Sequence, residues 1–147
     1  MKGKSLSEET NIKLIQQAYE NVKTGDIPSL LSILAENVLW MVPDMANVPF
    51  AGTWEGREQV GQFFCRVAEL QDVVEFEPEE FIARREKVVV LGHFTMHVKA
   101  TGKASRSYWA HVWKIEDGQV TFMREYVDTL AVSQAYSPDG QGIPNAE

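Results

Sequence analysis

Two residues near the C-terminal end of the chain are of the types that move protons. His111 lies in the apolar run YWAHVWK and Glu125 in TFMREYVD, with the turn sequence EDG between them. Both runs alternate with the two-residue period of half-buried strands. One face of the first shows Trp109, His111 and Trp113, and the other shows Tyr108, Ala110 and Val112. The second run puts Met123, Glu125 and Val127 on one side, and Phe122, Arg124, Tyr126 and Asp128 on the other. A three-residue EDG loop with a glycine bulge pairs odd positions with odd positions. His111 and Glu125 then share a face with two tryptophans and a methionine. A two-residue turn pairs His111 with the other set, and Arg124, Tyr126 and Asp128 become the polar group.

A carboxylate on an apolar, ligand-facing surface is costly unless it is hydrogen-bonded or its pKa is raised. That cost makes Glu125 a candidate general base. The competing reading turns Glu125 to water or pairs it with Arg124 or Arg106.

Other chemistries find less support. His93 and His97 are four residues apart, but VVVLGHFTMHVKA reads as strand, where four residues span about 13 Å. One metal ion cannot bridge that distance, so no metal site is expected, although His93, after Gly92, could reach a cavity. No serine sits in a nucleophile-elbow context, and there is no phosphate-binding loop or dinucleotide fingerprint. Cys65, the single cysteine, falls in a helical stretch beside Phe63 and Phe64 and reads as inert packing. It rules out an intramolecular disulfide and fits a reducing, cytoplasmic compartment. The net charge of −7 argues against nucleic-acid binding. No run is long and apolar enough to span a membrane, and MKGKSLSEETN lacks the apolar core of a signal peptide.

The elements that must position these residues follow from caps and periods. Ser5 and Glu8 have capping-box spacing, with Ser7 an alternative cap, ahead of an apolar stripe of Ile12, Ile15, Ala18, Tyr19 and Val22. Gly25 ends that helix, and Asp26 caps a second short one containing Pro28, Leu30, Leu31, Ile33 and Leu34. NVLWMV (37–42) reads as a strand, 43–56 as irregular, and Arg57 to Leu70 as a helix. From Asp72 the period becomes two through four long strands, with Pro78 marking a bend or an edge. Asp128 caps a final helix, TLAVSQAY. Helices followed by a strand meander is an α+β pattern. A curved antiparallel sheet with three helices on its concave face makes a cone whose open end can hold a small ligand. Trp40, Phe50, Trp54, Phe63, Trp109, Trp113 and Met123 are the candidate apolar lining of that pocket.

Three stretches carry a family resemblance. AYENVKTGDIPSLLSILAENVLW resembles the opening helix pair of the NTF2-like superfamily, in particular the SnoaL-like polyketide cyclases and ketosteroid-isomerase-like proteins. PFAGTWEGREQVGQFF resembles their loop and third helix, and HVWKIEDGQVTFMREYVDT their closing hairpin. The likeness spans roughly residues 10–135. It implies an NTF2-like cone in one domain over residues 1–136, followed by a mobile tail, 137–147. Tyr19, six residues before Gly25, falls where ketosteroid isomerases carry an oxyanion-hole tyrosine. His111 falls where they carry a protonated aspartic acid. Their catalytic aspartate aligns near Val42-Pro43, beside Asp44, and valine cannot take a proton. Polyketide cyclases instead use an acid on the last strand and a histidine on the strand before. His111 and Glu125 match that spacing, with Glu in place of Asp.

The resemblance thus implies cofactor-free acid/base chemistry next to a carbonyl: isomerisation, cyclisation or loss of water on an apolar ring-bearing substrate. Glu125 would be the base, and His111 and Tyr19 would bond the developing enolate oxygen. The alternative is a non-catalytic binding protein for an apolar metabolite. A homodimer is expected through the other face of the closing hairpin, where Tyr108, Ala110, Val112, Phe122 and Tyr126 lie.

Overall fold

The computed structural model describes residues 6–138. The expected cap at Ser5 and most of the expected mobile tail lie outside these residues. Helix α1 (Leu6–Thr24) already contains Ser7. It stops at Gly25, whose φ of 78° is costly for any other residue, and Asp26 N–H bonds back to the Asn21 carbonyl. Asp26 then caps α2 (Ile27–Ser32) by accepting from the Ser29 N–H at 3.2 Å. Strand β1 (Leu34–Val42) follows directly. Leu34, expected in the helix, is instead the first strand residue, because Ile33 ends α2 and its carbonyl accepts from Val120.

The stretch expected to be irregular contains a four-residue strand, β2 (Gly52–Glu55), which pairs Trp54 with Trp40 of β1. Helix α3 (Gly56–Leu70) leads into β3 (Gln71–Arg84), β4 (Lys87–Val98), β5 (Ala104–Glu116) and β6 (Gln119–Val127), and α4 (Thr129–Tyr136) closes the chain. Asp128 caps α4 through the Ala131 N–H.

The six strands form one open sheet in the order β2-β1-β6-β5-β4-β3. It is not wholly antiparallel, because β1 runs parallel to β6. The helices number four among the described residues rather than three, since α4 packs on β5 and β4. Pro78 lies on an edge strand and beside a register shift, so it both bends and borders the sheet.

The β5–β6 hairpin decides which face His111 occupies. Its turn is not the three-residue loop expected from EDG. Glu116 pairs with Gln119, so the loop is Asp117-Gly118, both with positive φ. A two-residue turn of this kind would put His111 opposite the wrong set. A bulge corrects it: after Ile115–Val120 the next pair is Lys114–Phe122, so Thr121 is an extra residue. From there odd positions pair with odd, and His111 stands opposite Glu125.

The inward face of β5 is therefore Ser105, Ser107, Trp109, His111, Trp113 and Ile115, all buried. The outward face leaves Tyr108 81% exposed and Tyr126 51%, with Leu91 and Ile82 of the neighbouring strands also exposed. Cys65 does not pack in the core; it is an exposed thiol on α3.

Candidate active site

A cavity of about 890 Å³ opens between the concave face and the helices. Its wall is largely apolar and includes Trp40, Phe50, Phe63, Phe64, Trp113 and Met123. Tyr19 of α1, His111 of β5 and Glu125 of β6 line it too. Of the seven residues expected to form its apolar lining, Trp54 and Trp109 do not. Trp54 donates its indole N–H to the Phe50 carbonyl and packs edge-on against Phe63. Trp109 lies behind His111, its ring stacked at 4.1 Å between centroids.

That stacking depends on a glycine. Trp109 lies across Gly92 of β4, where an added Cβ would sit 2.4 Å from both the indole ring and the Glu77 carbonyl. Phe76 stacks on Trp109 at 5.1 Å, and so Gly92, Trp109 and His111 form one packed column.

Four side chains then join in a row. The Trp113 indole donates to the Tyr19 hydroxyl oxygen at 3.0 Å. Tyr19 Oη lies 2.7 Å from His111 Nδ1, and His111 Nε2 lies 3.0 Å from Glu125 Oε2. An indole can only donate, so the Tyr19 oxygen accepts from Trp113; a carboxylate can only accept, so Glu125 takes the hydrogen on Nε2, and on a neutral ring Nδ1 is left to accept from Tyr19. His111 then carries its proton on Nε2 and donates to the Glu125 carboxylate. Burial, with a smaller push from the Glu125 charge and against the Trp113 bond, holds the Tyr19 phenol well above its ordinary pKa.

Both ring nitrogens of His111 are thus engaged, and Tyr19 has no hydrogen left for a ligand. This differs from the expected pair of free donors. Glu125 makes no second hydrogen bond among the described residues, and a fifth of its side chain is exposed. It lines the cavity, as do the charged side chains of Lys23, Glu75, Glu77 and Arg106.

The remaining candidates do not join this row. Val42 lines the cavity where an isomerase base would align, and Asp44 is exposed outside it. His93 is on the outer face, between Glu79 at 3.1 Å and Glu75 at 3.5 Å, and does not reach the cavity. Among the described residues, no three His, Cys, Asp or Glu side chains are grouped to hold a metal ion. No described helix is long and apolar enough to cross a membrane.

Sequence reasoning missed a second polar pair. Gln71, buried at the start of β3, lines the cavity, and its side-chain carbonyl accepts from the Tyr136 hydroxyl of α4. Neither residue breaks the pattern of its element, so nothing local marks them. Burial pushes the Tyr136 phenol up to about 12. A tyrosine in the unfolded chain ionises near 10, so the folded state holds this proton longer. The stability it contributes is complete below about pH 10 and is lost as pH rises through about 12. Urea unfolding across that window should show falling stability in the wild type and a shallower fall in Tyr136→Phe. Equal slopes would contradict the assignment.

The comparisons with known proteins agree with this fold. The model of the SnoaL-like domain matches residues 15–123. The chain belongs to the SnoaL-like family. A solved NTF2-like protein from Burkholderia xenovorans is 30% identical, with a TM-score of 0.83 over 90% of this chain and 100% of that one. Another NTF2-like protein, from Burkholderia pseudomallei, is 28% identical, with a TM-score of 0.78 over 86% and 97%. TerC, crystallised with polyporic acid, is 28% identical, with a TM-score of 0.75 over 86% and 98%. No curated protein matches the chain. The SnoaL-like cone is thus the NTF2-like α+β fold expected from the sequence, with one parallel strand pair and a fourth helix added.

Proposed function

We propose that this SnoaL-like protein is a cofactor-free acid/base enzyme acting next to a carbonyl on an apolar ring-bearing substrate. The observation that carries the reading is Glu125, hydrogen-bonded to buried His111 on one oxygen and exposed to an aromatic cavity. Glu125 takes the proton from the carbon beside the carbonyl, and the electron pair moves to the carbonyl oxygen. As Glu125 loses its charge, its hold on His111 Nε2–H weakens. That hydrogen then serves the enolate oxygen, where the charge has gone. Return of the proton at another carbon gives isomerisation; attack on a second carbonyl gives cyclisation; expulsion of hydroxide gives loss of water. TerC, a relative, was crystallised with polyporic acid, and the aromatic wall here suits flat ring compounds. A panel of apolar cyclic ketones, followed by NMR for rearranged or cyclised product, tests the reading. No conversion of any ketone that binds would count against it.

A second reading, a non-catalytic binding protein, is favoured by one observation: Val42 stands where an isomerase base would align. On that reading His111 and Glu125 are a structural pair, and ligands bind without turnover.

We also propose a homodimer through the outer sheet face, in the cytoplasm, where an exposed Cys65 stays reduced. Tyr108, Tyr126, Leu91 and Ile82 leave an apolar surface there. Light scattering at micromolar concentration should give a dimer mass for the wild type and a monomer mass for Tyr108→Asp. A monomeric wild type would refute the dimer.

A further inference from the structure

The cavity has a second polar end that the proposed chemistry does not use. Gln71 is 8% exposed and lines the cavity. Its amide oxygen is held by the Tyr136 hydroxyl, and its amide nitrogen has no partner among the described residues. Tyr136 has one hydrogen to give and no other described acceptor for it. The carbonyl side of Gln71 is therefore fixed toward Tyr136, and the NH₂ side is left over. Burial keeps the Tyr136 phenol protonated, with its pKa at about 12, so it remains a donor at neutral pH. Tyr136 is itself held by Phe50, edge-on at 5.7 Å.

Gln71 lies on β3 and Glu125 on β6, three strands apart in the sheet. Gln71 pairs with Val98 on β4, whereas His111 pairs with Val90. Eight residues of strand have a contour of about 26 Å, which the curvature of the sheet shortens in space. One ligand atom cannot meet both groups. Phe94 and Met96, on the strand between these positions, line the cavity along the way.

We propose that the Gln71 side-chain amide is a second ligand anchor, donating to an oxygen at the far end of an elongated ring compound whose other end meets Glu125. The ligand class is a multi-ring, apolar molecule with an acceptor oxygen at one end and its reacting or acidic group at the other. Tyr136 is the positioning residue that aims the amide. The proposal rests on the cavity being a ligand site, as read above, but not on the reaction assigned to Glu125.

The test uses an acetyl-naphthol, whose carbonyl probes the Gln71 end without having to reach Glu125, and the parent naphthol without the carbonyl. Tryptophan fluorescence reports binding, since Trp40 and Trp113 line the cavity. Gln71→Leu should weaken the acetyl-naphthol about tenfold, the loss of one buried hydrogen bond, and leave the parent naphthol nearly unchanged. In the wild type, the Gln71 side-chain NH₂ signals should move with acetyl-naphthol and stay in place with naphthol. This second readout needs no variant to fold. Equal weakening of both probes, or NH₂ signals that stay in place while acetyl-naphthol binds, would overturn the proposal. Neither result depends on turnover, so failure of the Glu125 chemistry is read separately, by loss of catalysis with the Gln71 shifts intact.

Discussion

Glu125→Gln lowers the rate of proton abstraction by about two to four orders of magnitude and leaves ligand affinity nearly unchanged. Glutamine has the same shape, and its carbonyl can still accept from His111 Nε2–H, which lies 3.0 Å from the carboxylate oxygen now. The cavity wall is not altered. What is lost is the basic oxygen. A structural role for the His111–Glu125 pair predicts the opposite: a change in stability with no effect on rate. Rate and binding are measured on the same ketone, and the variant's far-ultraviolet circular dichroism checks its fold. Unchanged turnover would remove Glu125 from the mechanism.

Gly92→Ala lowers the stability of the fold by about 3 kcal/mol, a decrease in Tm of about 10 °C. The added methyl would meet the Trp109 ring and the Glu77 carbonyl at 2.4 Å each. Glu77 is backbone of the paired edge strand and yields little; Trp109 yields only by leaving its stack on His111. The loss therefore reaches the site. Even the folded fraction should show a tilted His111 and a lower rate. Thermal unfolding gives the stability change, and a Tm within about 2 °C of wild type would refute the packing argument.

How much was legible depends on the range of each interaction. The caps at Asp26 and Asp128 act within three residues, and both were readable from composition and position. So was the alternation that put His111 and Glu125 on one face. The reason given for it was wrong. The turn is Asp117-Gly118, and Thr121 restores the register. The bulge has no local signature, because Thr fits either a bulge or a regular strand. β2 was missed because four residues next to Pro and Gly become a strand only when β1 pairs with them.

The site was legible as a residue set and not as a network. Tyr19 and His111 are 92 residues apart, and only the fold shows that the Tyr19 hydroxyl meets Nδ1 of the ring. Trp109 reads as pocket wall because an aromatic on the right face looks the same in sequence whether it meets a ligand or a glycine. Cys65 reads as packed because Phe63 and Phe64 precede it. On a helix, neighbours in sequence point about 100° apart, and Cys65 falls on the solvent side.

Deuterium incorporation into beta-tetralone in D2O, followed by NMR with wild type and with Glu125→Gln in parallel, tests whether Glu125 is the base. Exchange beside the carbonyl is expected well above the buffer rate in the wild type and at the buffer rate in the variant. Exchange at the buffer rate in the wild type, with the ketone shown to be bound by tryptophan quenching, would contradict it and leave the cavity a binding site alone.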